Sequence, residues 1–526
     1  MALLHAARDD EADPPPHAQP SEAGFKPSMH GFGALLITLS CLSPSIGVFI
    51  VGSDVMHQAG TAVFACFAAA VLLGLAMAAV YGELASAFPD SGGEYTILGR
   101  ALGPPWGVAA LALNLLGFSI AQSLSGLGVA SYLAAAFPGL PAIPTAAFLV
   151  VLVTGMAILN VRVGAAITGA FFAVELTTLV VLAGLGLAHP HRSLATAVLH
   201  PVMAGPPGAL MGGALMPVAL SIAGAAAAGG IYAFNGYGSV VFLGEELHEA
   251  PRRIAAVVFL ALGVAALTEL VPIAAMLVGA PDLHALLAAP SPVQAFIAAA
   301  STPLVGRLMN LGIAAAIFNC MIAVALMAGR QLYSTGRDRL WPLPISRQLA
   351  RLHPRLGSPW VATLAMGLAG LAGCLVDPKL LVLVLGNGNV ALYAGLCAAV
   401  LVGRRSGATR DTGFRMPLFP LPPLAALVAL AAVAWFDLHD AAGAKGLAAS
   451  AVVIVAALIY HRLVLRRAAA WAHAPAAAAG RDVIGPLPAA KHSVIPDGAL
   501  AERADPGPSP PDPGGNRRQT LVPPPS

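Results

Sequence analysis

Apolar runs long enough to cross a bilayer recur between residues 31 and 465 of this 526-residue chain. A spanning helix needs about 20 such residues. Charge is confined largely to the gaps between the runs. Only 10% of residues are charged, 58% are hydrophobic, and the mean hydropathy is +0.79. Soluble domains carry roughly 25% charged residues. Length alone would suggest three or four soluble domains of about 150 residues each. This composition instead argues for one polytopic membrane domain.

Twelve spans are expected, at approximately 31–56, 61–88, 107–137, 143–160, 164–188, 212–243, 254–280, 304–329, 359–376, 380–402, 420–438 and 446–465. The gaps between them alternate in basic content. One set holds 24 of the 28 Lys and Arg residues, including Arg8, Lys26, Arg100, Arg162, Arg252, Arg253 and the cluster from Arg330 to Arg355. The other set holds only Arg192, Arg307, Lys379 and Lys445. Basic loops stay on the cytoplasmic side, so both termini are expected there. Residues 1–28 are acidic and Pro-rich, without the basic and short apolar regions of a signal peptide. Together with 468–526, rich in Ala, Pro and Gly, they read as disordered cytoplasmic extensions of a transmembrane domain spanning 29–467.

Two spans carry an interruption. The first contains Ser43-Pro44-Ser45-Ile46-Gly47, where Pro44 removes a backbone donor and Gly47 adds freedom. A proline kink with the helix continuing through it is the alternative. In the sixth, the apolar run ending at Phe234 gives way to Asn235-Gly236-Tyr237-Gly238. Non-helical backbone at membrane depth is tolerated only where protein buries it or where it lines a cavity. Paired interruptions in two halves of a chain are the best sequence pointer to a transporter's binding site.

The second span ends in Tyr81-Gly82-Glu83-Leu84, followed by Phe88-Pro89, Ser91-Gly92-Gly93-Glu94-Tyr95 and Arg100-Ala101-Leu102-Gly103. This stretch resembles the signature of the amino acid–polyamine–organocation transporters. The resemblance continues at Ile158–Arg162, Phe234–Arg253 and Gly329–Asp338, and spans roughly residues 30–465. It implies a fold of two five-helix units of inverted topology, with helices 1 and 6 broken and two further helices appended. It also implies an amino acid permease. With the Ala-rich composition, it suggests a bacterial inner membrane.

An unwound helix leaves amides and carbonyls without partners, with partial positive and negative charge at the half-helix ends. An α-amino acid needs amides for its carboxylate and carbonyls for its ammonium. Ser43, Pro44, Ser45, Ile46 and Gly47 are therefore candidates for the carboxylate end, and the carbonyls around Ile231–Phe234 for the ammonium. Phe234, Asn235, Gly236 and Tyr237 are candidates for shaping or gating the pocket, ordinary packing being the alternative for the aromatics. Relatives usually carry Gly-small-Gly at the first break; Ser45-Ile46-Gly47 suggests a tighter pocket. Where many relatives have an acid after Gly-aromatic, this chain has Gly238.

Glu175 stands among apolar neighbours in FFAVELTTL, and Glu269 precedes Pro272. An ionisable residue inside the bilayer is a functional candidate by default. Both are candidate proton carriers. The alternatives are a structural partner for Glu175 and, for Glu269, satisfying the backbone freed by Pro272. Glu83, Glu94, Glu245, Glu246 and Glu249 lie near Arg100, Arg162, Arg252 and Arg253, as a cytoplasmic gate or as a solvated rim. Isolated Ser and Asn in the spans, such as Ser123, Asn319 and Asn389, are expected mainly to bond neighbouring helices.

The five cysteines fall inside apolar spans with no CxxC, which suggests neither a disulfide framework nor a metal site. There is no phosphate-binding glycine loop for ATP-driven transport. The expected partners are an amino acid and the lipid bilayer, with transport driven by protons or by exchange, and with no cofactor and no enzymatic activity. An amine or polyamine permease is the alternative in the same class; it would need carboxylates facing the pocket, with Glu175 and Glu269 as candidates. A membrane receptor or partner subunit that keeps the fold is the alternative of another class.

Overall fold

The computed structural model describes residues 29–90, 92–159, 165–205, 215–410 and 412–465, apart from the side chains of 165–168. The expectations for 1–28, 468–526 and Asn160–Arg162 lie outside these residues. The chain is helical almost throughout. Eight helical stretches among the described residues are long and apolar enough to cross a membrane, and two shorter apolar helices accompany them.

In chain order the helices begin with α1 (Gly31–Leu42), α2 (Ser53–Ala59), α3 (Val63–Ala87), α4 (Glu94–Leu102), α5 (Pro104–Ala136) and α6 (Ala142–Ile158). Next come α7 (Ala165–Ala188), α8 (Leu194–Leu199), α9 (Leu220–Ala233), α10 (Ala250–Gly279), α11 (Leu283–Ala288) and α12 (Pro292–Ala300). The last are α13 (Pro303–Arg337), α14 (Leu343–Leu349), α15 (Trp360–Gly373), α16 (Pro378–Ser406), α17 (Leu421–His439) and α18 (Ala441–Tyr460). Prolines open α5, α13 and α16, where a missing N–H costs nothing. Asp440 caps α18 by accepting from the Ala442 and Gly443 amides.

The first expected span is not one helix. It stops at Leu42, because Ser43 adopts a left-handed conformation at φ 45° and Pro44 follows without a donor. The chain resumes as a π-helical turn over Ile46–Gly52 and then as α2. The sixth span is likewise divided. Here α9 ends at Ala233, Gly236 turns the chain at φ 123°, and a 3₁₀ segment runs over Tyr237–Leu243. Its start also differs from the expectation of residue 212. Leu215–Pro217 (β2) pairs antiparallel with Val202–Ala204 (β1), and the helix begins only at Leu220. Pro217 has no amide to give a helix, and the Val218 amide bonds the Pro201 carbonyl instead.

The two breaks meet. A Cβ on Gly236 would lie 2.6 Å from the Leu42 Cα, so the backbone of the second break sits against the last residue of α1. Around them α10 packs on α3 and α7, and α5 packs on α13. The approach of α7 to α10 is close enough that a side chain at Gly186 or Gly279 would meet backbone of the other helix. Leu72, Val180, Leu267, Val428 and Val452 point outward and are exposed, which suits helices whose outer surface faces lipid.

Replacing Gly236 with Ala tests the contact between the breaks. The new Cβ meets backbone, at a φ that L-residues rarely adopt. The expected cost is about 1–3 kcal/mol, read as a lowered melting temperature of the detergent-purified protein. An unchanged melting temperature would contradict the close approach.

Candidate functional site

Residues of α1, α3, α4, α5, α13 and α16 and of the second break enclose one cavity. Ile46, Asn235 and Gly236, singled out from sequence, line it, alongside Cys41, Asn114, Ser125, Ser239 and Asn389. Most of the remaining lining is apolar. Ser43, Pro44, Ser45, Gly47, Ile231, Phe234 and Tyr237 are buried around it rather than on its wall. Phe234 packs edge-on against Phe67, with ring centroids 5.6 Å apart, and Tyr237 packs edge-on against Tyr81 at 6.0 Å.

The first break has its own internal bonding. The Ser43 carbonyl accepts from the Ile46 and Gly47 amides at 2.9 and 3.3 Å. The Ser45 amide donates to Glu175 Oε1 at 2.8 Å, and Ser43 Oγ donates to the same oxygen at 2.9 Å. The amides expected to face a substrate carboxylate are thus engaged within the protein, one of them by a carboxylate from α7. Tyr132 from α5 donates to the Phe49 carbonyl at 2.8 Å, and Asn319 from α13 donates to Ser40 Oγ at 3.0 Å. These bonds tie the broken segment to its neighbours. Membrane helices commonly use polar side chains in this way.

Glu269 from α10 approaches the same segment from another side. A Cβ on Gly47 would collide with its carboxyl, so the glycine makes room for the acid. The side chain is fully buried, and neither oxygen has a hydrogen-bond partner among the described residues. It does not cap backbone freed by Pro272. Neither Glu175 nor Glu269 lines the cavity.

The charges that sequence assigned to the cytoplasmic side pair differently from the neighbours that sequence suggested. Glu83 is fully buried and pairs with Arg404, whose Nε and Nη2 reach its two oxygens at 2.7 and 2.5 Å. The Met416 amide adds a third bond at 2.9 Å. Arg100 pairs with Asp90 at 2.7 Å. Glu246 pairs with Arg330 at 2.8 Å, and Glu245 lies 3.7 Å from Arg337. Tyr95 donates to Asp338. Arg253 bonds Glu249, one turn away on an exposed face, and Arg252 is exposed beside it. Arg162 lies outside the described residues. Sequence reading missed Arg404 because its partner is 321 positions away. For Glu94 the sequence left a gate and a solvated rim open; Glu94 is buried and lines the cavity.

A family model described as amino acid permease matches residues 31–458. An uncharacterized transporter of Mycobacterium tuberculosis is 30% identical over 328 residues, covering 59% of this chain and 68% of the relative. A Mycobacterium bovis transporter, also uncharacterized, matches to the same extent. The branched-chain amino acid permease BcaP of Bacillus subtilis is 24% identical over 428 residues, covering 76% of this chain and 86% of the relative.

Truncating Arg404 to Ala leaves the Glu83 carboxylate buried and unpaired. Breaking a buried pair from one side costs about 3–5 kcal/mol. The expected result is a large loss of thermal stability or of folded yield in detergent. A variant as stable as the parent would contradict the pairing.

Proposed function

The chain belongs to the amino acid permease family, and from that membership we propose that it is a secondary active transporter of amino acids, working by alternating access around the two breaks. Family and apolar helices make it a multi-pass membrane protein of transport. The proposal adds twelve spans in a five-plus-five inverted repeat with two helices appended, in the cell inner membrane with both termini cytoplasmic. The alternation of basic gaps along the sequence supports that orientation.

The observation that carries the mechanism is the bond from the Ser45 amide to Glu175. Here α7 sends a carboxylate to a backbone amide of the first break, which is the kind of donor a substrate carboxylate requires. An ionised carboxylate is the stronger acceptor of this bond. A proton arriving at Glu175 weakens its hold and frees the amide for the incoming amino acid. Proton and substrate then occupy the break together, which is the logic of symport. Glu269, unpartnered beside Gly47, is the second candidate to hold that proton. The ion pairs of Glu83, Glu245, Glu246 and Arg100, with Arg252 and Arg253 at the rim, form the layer that parts when the cytoplasmic side opens. The name of the Bacillus subtilis relative supports an amino acid as cargo; the side chain accepted is set by the lining of this cavity.

Uptake of a labelled amino acid panel into proteoliposomes, with and without an inward proton gradient, tests the proposal. Gradient-driven accumulation of at least one amino acid is expected. Glu175→Gln is expected to abolish the response to the gradient while counterflow exchange persists. Gradient-driven uptake undiminished in the variant would remove Glu175 from the coupling. Absence of flux for every amino acid would overturn the transport reading.

A further inference from the structure

The cavity wall carries one formal charge among the described residues, and it is Glu94. No Lys, Arg or His lines the same wall. Glu94 opens α4, directly after Gly93, which holds φ 68°. A Cβ on Gly93 would strike the Phe242 ring, so only glycine lets the chain turn there. The turn brings the Glu94 side chain inward.

Two neutral donors orient the carboxylate. Tyr81 Oη from α3 donates to Oε1 at 3.0 Å, and Asn114 Nδ2 from α5 donates to Oε2 at 3.0 Å. Each oxygen keeps capacity for a further donor. The other ionisable groups packed on this pair are Tyr393 from α16 and Tyr237 of the second break, whose rings each meet Tyr81 edge-on at 6.0 Å, and the cavity wall adds Cys41, Cys320 and Tyr232. Arg100, on the same helix as Glu94, is engaged by Asp90. A buried carboxylate held by neutral groups alone has no counter-charge, and burying a charge without one is costly.

The position after the aromatic of the second break is Gly238. The Tyr81 ring fills the space a side chain there would take, since a Cβ on Gly238 would lie 2.9 Å from the ring carbon bearing the hydroxyl. That hydroxyl leads to Glu94. Glu94, on α4, is thus linked to the second break through the Tyr81 ring and hydroxyl. Glu175 and Glu269, the other buried acids, stand off the cavity wall.

The geometry points to Glu94, with Tyr81 and Asn114 as its positioning residues, as a subsite for a protonated amine on the substrate, selecting amino acids that carry a second, cationic nitrogen in the side chain. The subsite rests on the amino acid permease reading and adds to it the class of side chain. The ammonium takes the free lone pairs of the carboxylate and supplies the missing counter-charge. Burial pushes the Glu94 carboxyl above the usual carboxylate range, with the Tyr81 and Asn114 bonds pulling against it. Amine binding needs the carboxylate ionised and the amine protonated, so it is strongest at neutral to mildly alkaline pH. It is lost on acidification sooner than for an exposed glutamate.

Binding of L-lysine and of L-norleucine, which matches its chain but lacks the amine, tests this by titration calorimetry on the full-length protein. At pH 8, wild type is expected to bind lysine about tenfold or more tightly than norleucine, the worth of a charge-assisted bond. The preference should shrink as pH falls. Glu94→Gln should weaken lysine about tenfold and leave norleucine within about twofold, and Glu94→Asp should keep part of the preference. Should the variants fail to fold, the wild-type comparison and its pH profile still decide. Norleucine bound as tightly as lysine by wild type, or a lysine preference that Glu94→Gln leaves intact, overturns the subsite while leaving the permease reading in place. Absence of binding and flux for every amino acid overturns both.

Discussion

Backbone groups that leave a helix inside a membrane must find partners in the protein, and that requirement organises this molecule. The break at Ser43–Gly47 meets it by three routes. The Ser43 carbonyl takes two amides, Glu175 takes a third, and Tyr132 donates to the Phe49 carbonyl beyond the break. The first route is internal to the break, and the other two recruit α7 and α5. The break in the sixth span meets the requirement partly through a turn at Gly236, which only a residue without a side chain can make against Leu42. The neighbouring helices are therefore fixed in place by the need to satisfy two short pieces of chain. The cavity is what remains between them.

Charge inside the protein sorts by how it is satisfied. Glu83 has a guanidinium and an amide, so its charge is matched within the protein. Glu175 has donors on one oxygen only, and both come from the first break. Glu94 has two neutral donors and an open cavity. Glu269 has no hydrogen bond among the described residues. The less a buried acid is matched within the protein, the more it depends on something that comes and goes. In a transporter those things are protons and substrates.

Both breaks were legible in the sequence because Pro44, Gly47 and the Asn235–Gly238 run contradict the apolar pattern around them. Glu175 and Glu269 were legible because charge in an apolar run has no local reason. The partners were not. That Glu175 reaches the Ser45 amide, or that Arg404 reaches Glu83, depends on how helices distant in sequence are rotated, and hydropathy carries no rotation. The place of Glu94 was open for a related reason: a short polar loop does not show that the Gly93 turn folds it inward. The β1–β2 pairing was hidden within a run apolar enough to pass for helix, with Pro217 the one local signal against it.

Cargo seated in the cavity between the breaks would cover Cys41 on its wall, which makes this thiol a direct probe. The rate at which a small thiol-alkylating reagent modifies Cys41, followed by mass spectrometry, would be measured with and without a saturating transported amino acid. The amino acid is expected to slow modification of Cys41 while leaving that of Cys374, away from the cavity, unchanged. Equal rates at Cys41 with and without a substrate whose flux has been measured would contradict it.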